Sequence, residues 1–136
     1  MNTYTILADI VVLLHLAYVL YVLLGQVAIM AGYRFRWSWT RSPWFRISHV
    51  SMIGIVVVEA LLSITCPLTT LETYLRLEGG QTVRDGSFIG RLAHDALFVS
   101  LDSATLTFLY CAFGFTVLVF LILSPIRWAS HTSDID

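Results

Sequence analysis

Charged side chains are scarce in this chain of 136 residues: only 12% are Asp, Glu, Lys or Arg, and lysine is absent altogether. Soluble domains carry about 25% charged residues. The hydrophobic content is 57%, which is more than a soluble domain of this size can hide when it buries only about two-thirds of its surface. The composition therefore excludes a soluble enzyme and a disordered linker. The net charge of −1 offers no basic surface, which excludes a nucleic-acid partner as well.

The sequence also lacks the residue spacings that most often carry chemistry. It contains no His-x-x-x-His, Glu-x-x-His or Cys-x-x-Cys pattern for a metal, no Gly-rich phosphate loop and no nucleophile elbow. We therefore predict no catalytic residues and no metal site. An independent enzyme is the weakest interpretation, because no arrangement of nucleophile, base and oxyanion donors can be assembled.

What the sequence has instead is three long apolar runs. A transmembrane helix needs about 20 mainly apolar residues to cross a hydrocarbon core of about 30 Å. Runs of this kind cover approximately residues 6–31, 46–66 and 103–124. No Lys or Arg precedes the first run and no small-residue cleavage site closes it, so we expect a retained span and not a signal peptide. The chain is predicted to be a single all-α integral membrane domain, 1–136, with three transmembrane helices.

Arginine is distributed unevenly along the chain. The short segment between the first two runs holds four of the eight: Arg34, Arg36, Arg41 and Arg46. Short loops rich in Lys and Arg stay in the cytoplasm. We therefore predict an N-terminus outside the membrane, a cytoplasmic C-terminus and an outer segment between the second and third spans. Every tryptophan falls at the predicted cytoplasmic interface, where aromatic belts form: Trp37, Trp39, Trp44 and Trp128.

The outer segment is predicted to contain two short helices. Pro67 is expected to end the second span, and Thr69-x-x-Glu72 is typical of a capping box that starts a helix over approximately 70–78. A second helical pattern covers approximately 88–101 and is too short and polar to span a bilayer. We expect it to lie on the outer interface, with a re-entrant element as the alternative.

Three polar side chains are predicted to lie deep in the outer half of the membrane. At about 1.5 Å per residue, His15, Glu59 and Tyr110 each fall roughly 10–13 Å below the outer ends of their spans. We expect them to form a buried hydrogen-bonded cluster. Such a cluster either fixes helix register or marks a proton-handling or small-molecule site, because ionisable groups inside a membrane often do.

No cofactor is predicted, although haem b and a quinone are conceivable ligands of this cluster. Haem b in a helical bundle needs axial ligands, usually one histidine on each side of the iron. His15 is the only deep histidine, and His94 is its only partner on the same side. A quinone or a lipid headgroup is the alternative ligand, and no sequence pattern specifies it.

Several of these residues belong to motifs that resemble an uncharacterised bacterial inner-membrane family, catalogued only as a domain of unknown function. The resemblance covers roughly residues 5–125. Its motifs are Ala8-Asp9-Ile10-Val11-Val12-x-x-His15 with Tyr18-Val19 and Gly25 behind it, Glu59, Cys66-Pro67-Leu68-Thr69-x-Leu71-Glu72 followed by Leu75-Arg76, and Ser87-Phe88-Ile89 at the start of the outer helix. It implies a small multi-span protein of the inner membrane and carries no activity. It also directs attention to an outer-side neighbourhood of residues beside His15 and Glu59: Asp9, Cys66, Thr69, Glu72 and His94.

Taken together, these features favour a non-catalytic accessory or structural subunit. Three spans bury little core between them, and small residues on their polar seams suit further helix partners. The expected partners are the lipid bilayer and other helices, in a homo-oligomer or in a larger membrane complex. The alternative is a membrane-embedded protein that binds a quinone, a lipid or haem through His15, Glu59 and Tyr110.

Overall fold

The structure is a computed structural model that describes residues 2–84 and 86–128. Within these residues it is helical and contains no strand. Five α-helices are present: α1 Thr3–Phe35, α2 Pro43–Leu61, α3 Pro67–Glu78, α4 Phe88–Leu97 and α5 Ser103–Leu123, with a 3-10 turn at Trp39–Arg41 between α1 and α2. Three of the helices, α1, α2 and α5, are long and apolar enough to cross a membrane. The predicted all-α fold with three candidate spans is confirmed.

The second span ends earlier than its apolar run, at Leu61 and not near residue 66. Ser63 has a φ of 55°, and the Ile64 amide donates to the Glu59 carbonyl at 2.8 Å while the Ser63 amide donates to that of Ala60 at 3.3 Å. These two bonds form a Schellman motif. Glycine usually holds the left-handed position of this motif, and serine holds it here, so this helix end carries no clear sequence signal.

The capping box predicted for α3 is wrong. Pro67 begins this helix at its first position, Cys66 precedes it, and no side chain caps it. Because the fixed φ of proline suits the first helical residue, α3 starts before Thr69, which lies inside the helix. The Thr69 hydroxyl is buried without a hydrogen-bond partner in the described residues, and the Glu72 carboxylate binds arginines instead.

The three spans alternate in direction, and α3 runs back along the start of α1. His49 Nε2 contacts the Val22 carbonyl at 2.8 Å and joins α2 to the middle of α1. The Asn2 side chain donates to the Gly79 carbonyl at 3.1 Å and joins the end of α3 to the start of α1. On α5, a Cβ at Gly114 would lie 2.9 Å from Val57 of α2. The buried apolar residues form two small clusters, one between α1 and α3 and one among the three spans.

The molecule therefore has two distinct ends. The start of α1, α3, α4 and the start of α5 form one end, which we call the cap end. The opposite end, the Arg-rich end, comprises the end of α1, the 3-10 turn, the start of α2 and the residues after α5. The chain turns tightly here, because a Cβ at Gly32 would lie 2.3 Å from the Thr40 hydroxyl oxygen.

Candidate functional site

The central feature of the cap end is a buried carboxylate held by two arginines. Glu72 of α3 is 4% exposed. Arg76, one turn further along α3, donates from Nε to Oε1 at 2.8 Å, and Arg91 of α4 donates from Nη2 to Oε2 at 2.7 Å. Both carboxylate oxygens are thus satisfied by charged donors, which offsets the cost of removing the carboxylate from water. The ion pair with Arg91 also fixes α4 against α3.

The same network extends to α1 through Asp9. The Arg76 guanidinium donates from Nη2 to Asp9 Oδ1 at 3.2 Å, and Asp9 itself is largely exposed. The hydrogen bond that Arg76 donates to Glu72, with the nearby charges of Glu72 and Asp9, raises the pKa of Arg76 above its usual value. Two carboxylates and two arginines therefore join α1, α3 and α4, and their charges cancel within the cap end.

His15 lies below this network, and one of its two ring nitrogens has no hydrogen-bond partner among the described residues. Its ring is 6% exposed and stacks on Phe88 of α4, with ring centroids 4.1 Å apart and planes at 19°. Its Nε2 atom lies 4.0 Å from the Cys66 sulfur. Its Nδ1 atom is buried and has no hydrogen-bond partner in the described residues, and the Thr69 hydroxyl, one turn beyond Cys66 on α3, shares that condition. Buried polar atoms of this kind are rare and call for an explanation.

The structure does not join His15, Glu59 and Tyr110 by hydrogen bonds within the described residues. Tyr110 of α5 is half-buried and lies beside Ser87 and Cys66. Glu59 of α2 lies near Tyr18 of α1. The Tyr18 hydroxyl donates to the Met52 carbonyl at 2.6 Å and so ties α1 to α2.

The predicted outer-side neighbourhood is brought together in large part. Asp9 and Glu72 meet through Arg76, while Cys66 and Thr69 lie on the first turn of α3 near His15. His94 lies apart: it is exposed on α4 and contacts Asp95, which pairs with Arg84. Both cysteines, Cys66 and Cys111, are free thiols.

Sequence reasoning missed the three residues that complete this site: Arg76, Arg91 and Phe88. Arg76 had a local signal, since it follows Glu72 by four residues on a predicted helix and this spacing favours an ion pair. Arg91 and Phe88 had none, because their roles depend on how α4 folds over α3. Within residues 2–84 and 86–128, no group of three His, Cys, Asp or Glu side chains is arranged to hold a metal ion.

The fold and the site together define an all-helical protein with three helices able to cross a membrane and a cap closed by a buried ionic network. The chain belongs to the family described as a protein of unknown function, DUF2784, whose model matches residues 5–126. The resemblance to an uncharacterised family is therefore confirmed. No curated protein and no solved structure matches the chain.

Proposed function

We propose that this protein is a non-catalytic accessory or structural subunit of a bacterial inner membrane. It would associate with a second copy of itself or with a larger membrane complex, with its Arg-rich end in the cytoplasm. The observation that carries the proposal is Glu59, a carboxylate within a membrane-spanning helix that has no partner among the described residues.

Glu59 lies on α2 and is only half-buried. No hydrogen bond or ion pair from a described residue reaches its carboxylate, whereas Glu72 at the cap end is bound on both oxygens. Because α2 ends at Leu61, Glu59 lies near the end of this helix and less deep than the sequence predicted. A charged side chain costs roughly 2.5–3.5 kcal/mol at the centre of a membrane-spanning helix and less near its ends, and it normally faces protein or water. A polar group on a neighbouring protein's helix would remove this cost.

The surface of α2 beside Glu59 suits the close approach of another helix. Ser51, Ile55 and Val58 are exposed along it. A Cβ built at Gly54 meets no atom of the chain within 4 Å. Small and hydroxyl-bearing residues are enriched where helices pack in membranes, because they let backbones approach closely. We call this the open face of α2.

Self-association tests the proposal directly, and Gly54→Leu is the informative variant. The added side chain meets open space in the single chain, so the fold should be retained, but it would block a partner on the open face. We expect the dissociation constant of the oligomer, measured by energy transfer during lipid dilution, to rise at least about tenfold, or about 1.4 kcal/mol. Glu59→Gln should weaken association as well.

Ala112→Leu is the matched control, because Ala112 is exposed on α5 away from the open face. Its dissociation constant should match that of the wild type. A wild-type protein that stays monomeric at every protein-to-lipid ratio, and retains no stoichiometric partner after cross-linking in the membrane, would contradict the proposal.

A second candidate function is the binding of a quinone, a lipid or haem beside His15. It is favoured by two buried polar atoms, His15 Nδ1 and Thr69 Oγ1, that have no partner among the described residues. Aromatic stacking by Phe88 and the Cys66 thiol complete the surroundings of the ring. A ligand carbonyl or carboxylate could accept from one of these atoms, which a purely structural histidine would not need.

Co-purification decides this candidate. We expect extracts of the purified protein, analysed by absorption spectroscopy and mass spectrometry, to contain a quinone, lipid or haem in near-stoichiometric amount. His15→Leu should reduce that amount at least about fivefold, because it removes the buried Nδ1 atom that has no partner among the described residues. His94→Leu, on the exposed surface of α4, should retain it. Equal ligand content in the two variants, or none in the wild type, would refute the candidate.

A further inference from the structure

A cavity of about 450 Å³ opens at the Arg-rich end, at the opposite end of the molecule from the His15 pocket. The end of α1 forms one wall, through Gly32, Tyr33 and Arg36, and the end of α5 forms another through Leu123 and Ser124. Ser38, Arg41 and Arg127 complete the lining. The cavity thus combines three arginines and three hydroxyl groups with the apolar surfaces of Tyr33 and Leu123.

The charge of this cavity is uncompensated within the described chain. None of its described lining residues is acidic, and the ion pairs of residues 2–84 and 86–128 involve Arg76, Arg84 and Arg91 at the cap end only. Behind the cavity, Arg46 is 1% exposed and donates to the carbonyls of Thr40 and Ser124, at 2.8 and 3.0 Å. Arg46 therefore adds a fourth positive charge to the electrostatic potential of the cavity.

The arginines are held in place by the backbone around them. The Arg41 side chain donates from Nε to the Pro125 carbonyl at 3.2 Å, and the Arg127 amide donates to the Arg41 carbonyl at 3.0 Å. Arg36 directly follows α1 and has a φ of 59°, a left-handed conformation that disfavours residues other than glycine. The Trp37 amide donates to the Gly32 carbonyl at 3.0 Å, which closes the end of α1 around Arg36, and the Arg36 side chain lines the cavity.

The surroundings place the cavity at the depth of lipid headgroups. Exposed aromatic side chains encircle this end of the molecule: Tyr33, Phe35, Trp37, Trp39, Trp44 and Trp128. Tryptophan and tyrosine concentrate at the membrane–water interface. Tyr33 and Leu123 give the cavity apolar walls on the side of the spans, where acyl chains would continue from a bound headgroup.

We propose that this cavity binds the phosphoryl groups of an anionic membrane lipid. Guanidinium groups match phosphate oxygens in geometry and keep their charge at any physiological pH. Three arginines without acidic partners among residues 2–84 and 86–128 favour a headgroup with two negative charges over one with a single charge. Basic pockets between transmembrane helices are known to suit such headgroups. This site is separate from the open face of α2 and does not depend on the proposed function.

Native mass spectrometry of the full chain in detergent tests the proposal, with cardiolipin, phosphatidylglycerol and phosphatidylcholine as probes. We expect cardiolipin to bind at least tenfold more tightly than phosphatidylcholine, with phosphatidylglycerol between them. The double variant Arg36→Gln with Arg127→Gln should weaken cardiolipin binding at least tenfold. Ser38→Asp should do the same, because it places a negative charge in the lining of an exposed turn without removing a capping bond.

Arg34→Gln is the matched control, because Arg34 is exposed at the same end and does not line the cavity. It should change the affinity for cardiolipin less than threefold. Equal losses from Arg34→Gln and from the cavity variants would show a diffuse basic surface and overturn the proposal. Inorganic phosphate and glycerol 3-phosphate are titrated separately. If either competes with cardiolipin at equal concentration, the ligand is a soluble phosphate and the lipid assignment fails.

Discussion

Replacing Glu72 with glutamine is expected to lower the free energy of unfolding by about 3–5 kcal/mol. Glutamine keeps the size of the side chain but removes the charge that Arg76 and Arg91 share. The change leaves Arg91 without a carboxylate and Arg76 with Asp9 alone, and an unpaired charge in a buried ionic group is far more costly than the loss of a surface pair. The measurement is equilibrium unfolding of the purified protein in detergent, followed by circular dichroism.

Glu78→Gln supplies the control for this experiment, because Glu78 is exposed at the end of the same helix. Its unfolding free energy should stay within about 0.5 kcal/mol of the wild type. Combining Glu72→Gln with Arg91→Gln should cost less than the sum of the single changes, since the second removes a charge that the first left without a partner. Strict additivity would show that the ion pair to α4 contributes nothing.

The second large effect is expected from Arg46→Met at the Arg-rich end. The buried guanidinium bridges the Thr40 carbonyl of the 3-10 turn and the Ser124 carbonyl at the end of α5. Hydrogen bonds from charged donors are worth about 1.5–3 kcal/mol each, and buried carbonyls left unpaired add a desolvation cost. The gain from burying a neutral side chain offsets part of this loss, so we expect a destabilisation of about 3 kcal/mol by the same unfolding measurement.

Two further variants separate geometry from charge at this position. Arg46→Lys keeps the charge, but a single ammonium group does not reproduce the planar fork that reaches both carbonyls. We expect it to recover less than half of the lost stability. Arg34→Met, exposed at the same end, should leave the unfolding free energy nearly unchanged. Full recovery by lysine would assign the effect to charge alone and contradict the bridging role.

Sequence reasoning could identify the kind of fold because length and apolar composition decide it. The predicted run 103–124 nearly coincides with α5, Ser103–Leu123, because the apolar run is uninterrupted. Sequence reasoning misplaced the boundary between α2 and α3. The left-handed residue there is Ser63, which carries no strong turn signal, and Pro67 is as compatible with the start of a helix as with the end of one.

The candidate site was predictable only where its residues lie close in sequence or in depth. His15 is buried in the structure, but its depth along α1 alone does not predict this, because Leu13 and Leu14 at nearly the same depth are exposed. Its neighbours were not predictable, because α3 turns back along α1 and α4 covers the ring with Phe88. A one-dimensional estimate of depth assigns His15 and Glu59 to the same layer. It contains no information on which side of the bundle each faces.

The unequal lengths of the three spans determine which bilayers the protein fits. At about 1.5 Å per residue, α1 with its 33 residues is about 50 Å long, while α2 with 19 residues covers only about 28 Å. The shortest span, α2, limits the bilayer thickness that fits the protein, because turns close α2 at both ends. The longer α1 can continue into the cap end. A membrane with a thicker hydrocarbon core must thin around α2, or the polar ends of α2 must enter the hydrocarbon. Either response costs fractions of a kcal/mol per Å of mismatch between α2 and the hydrocarbon core. Acyl-chain length thus becomes a determinant of this protein's stability, independently of the headgroups around it.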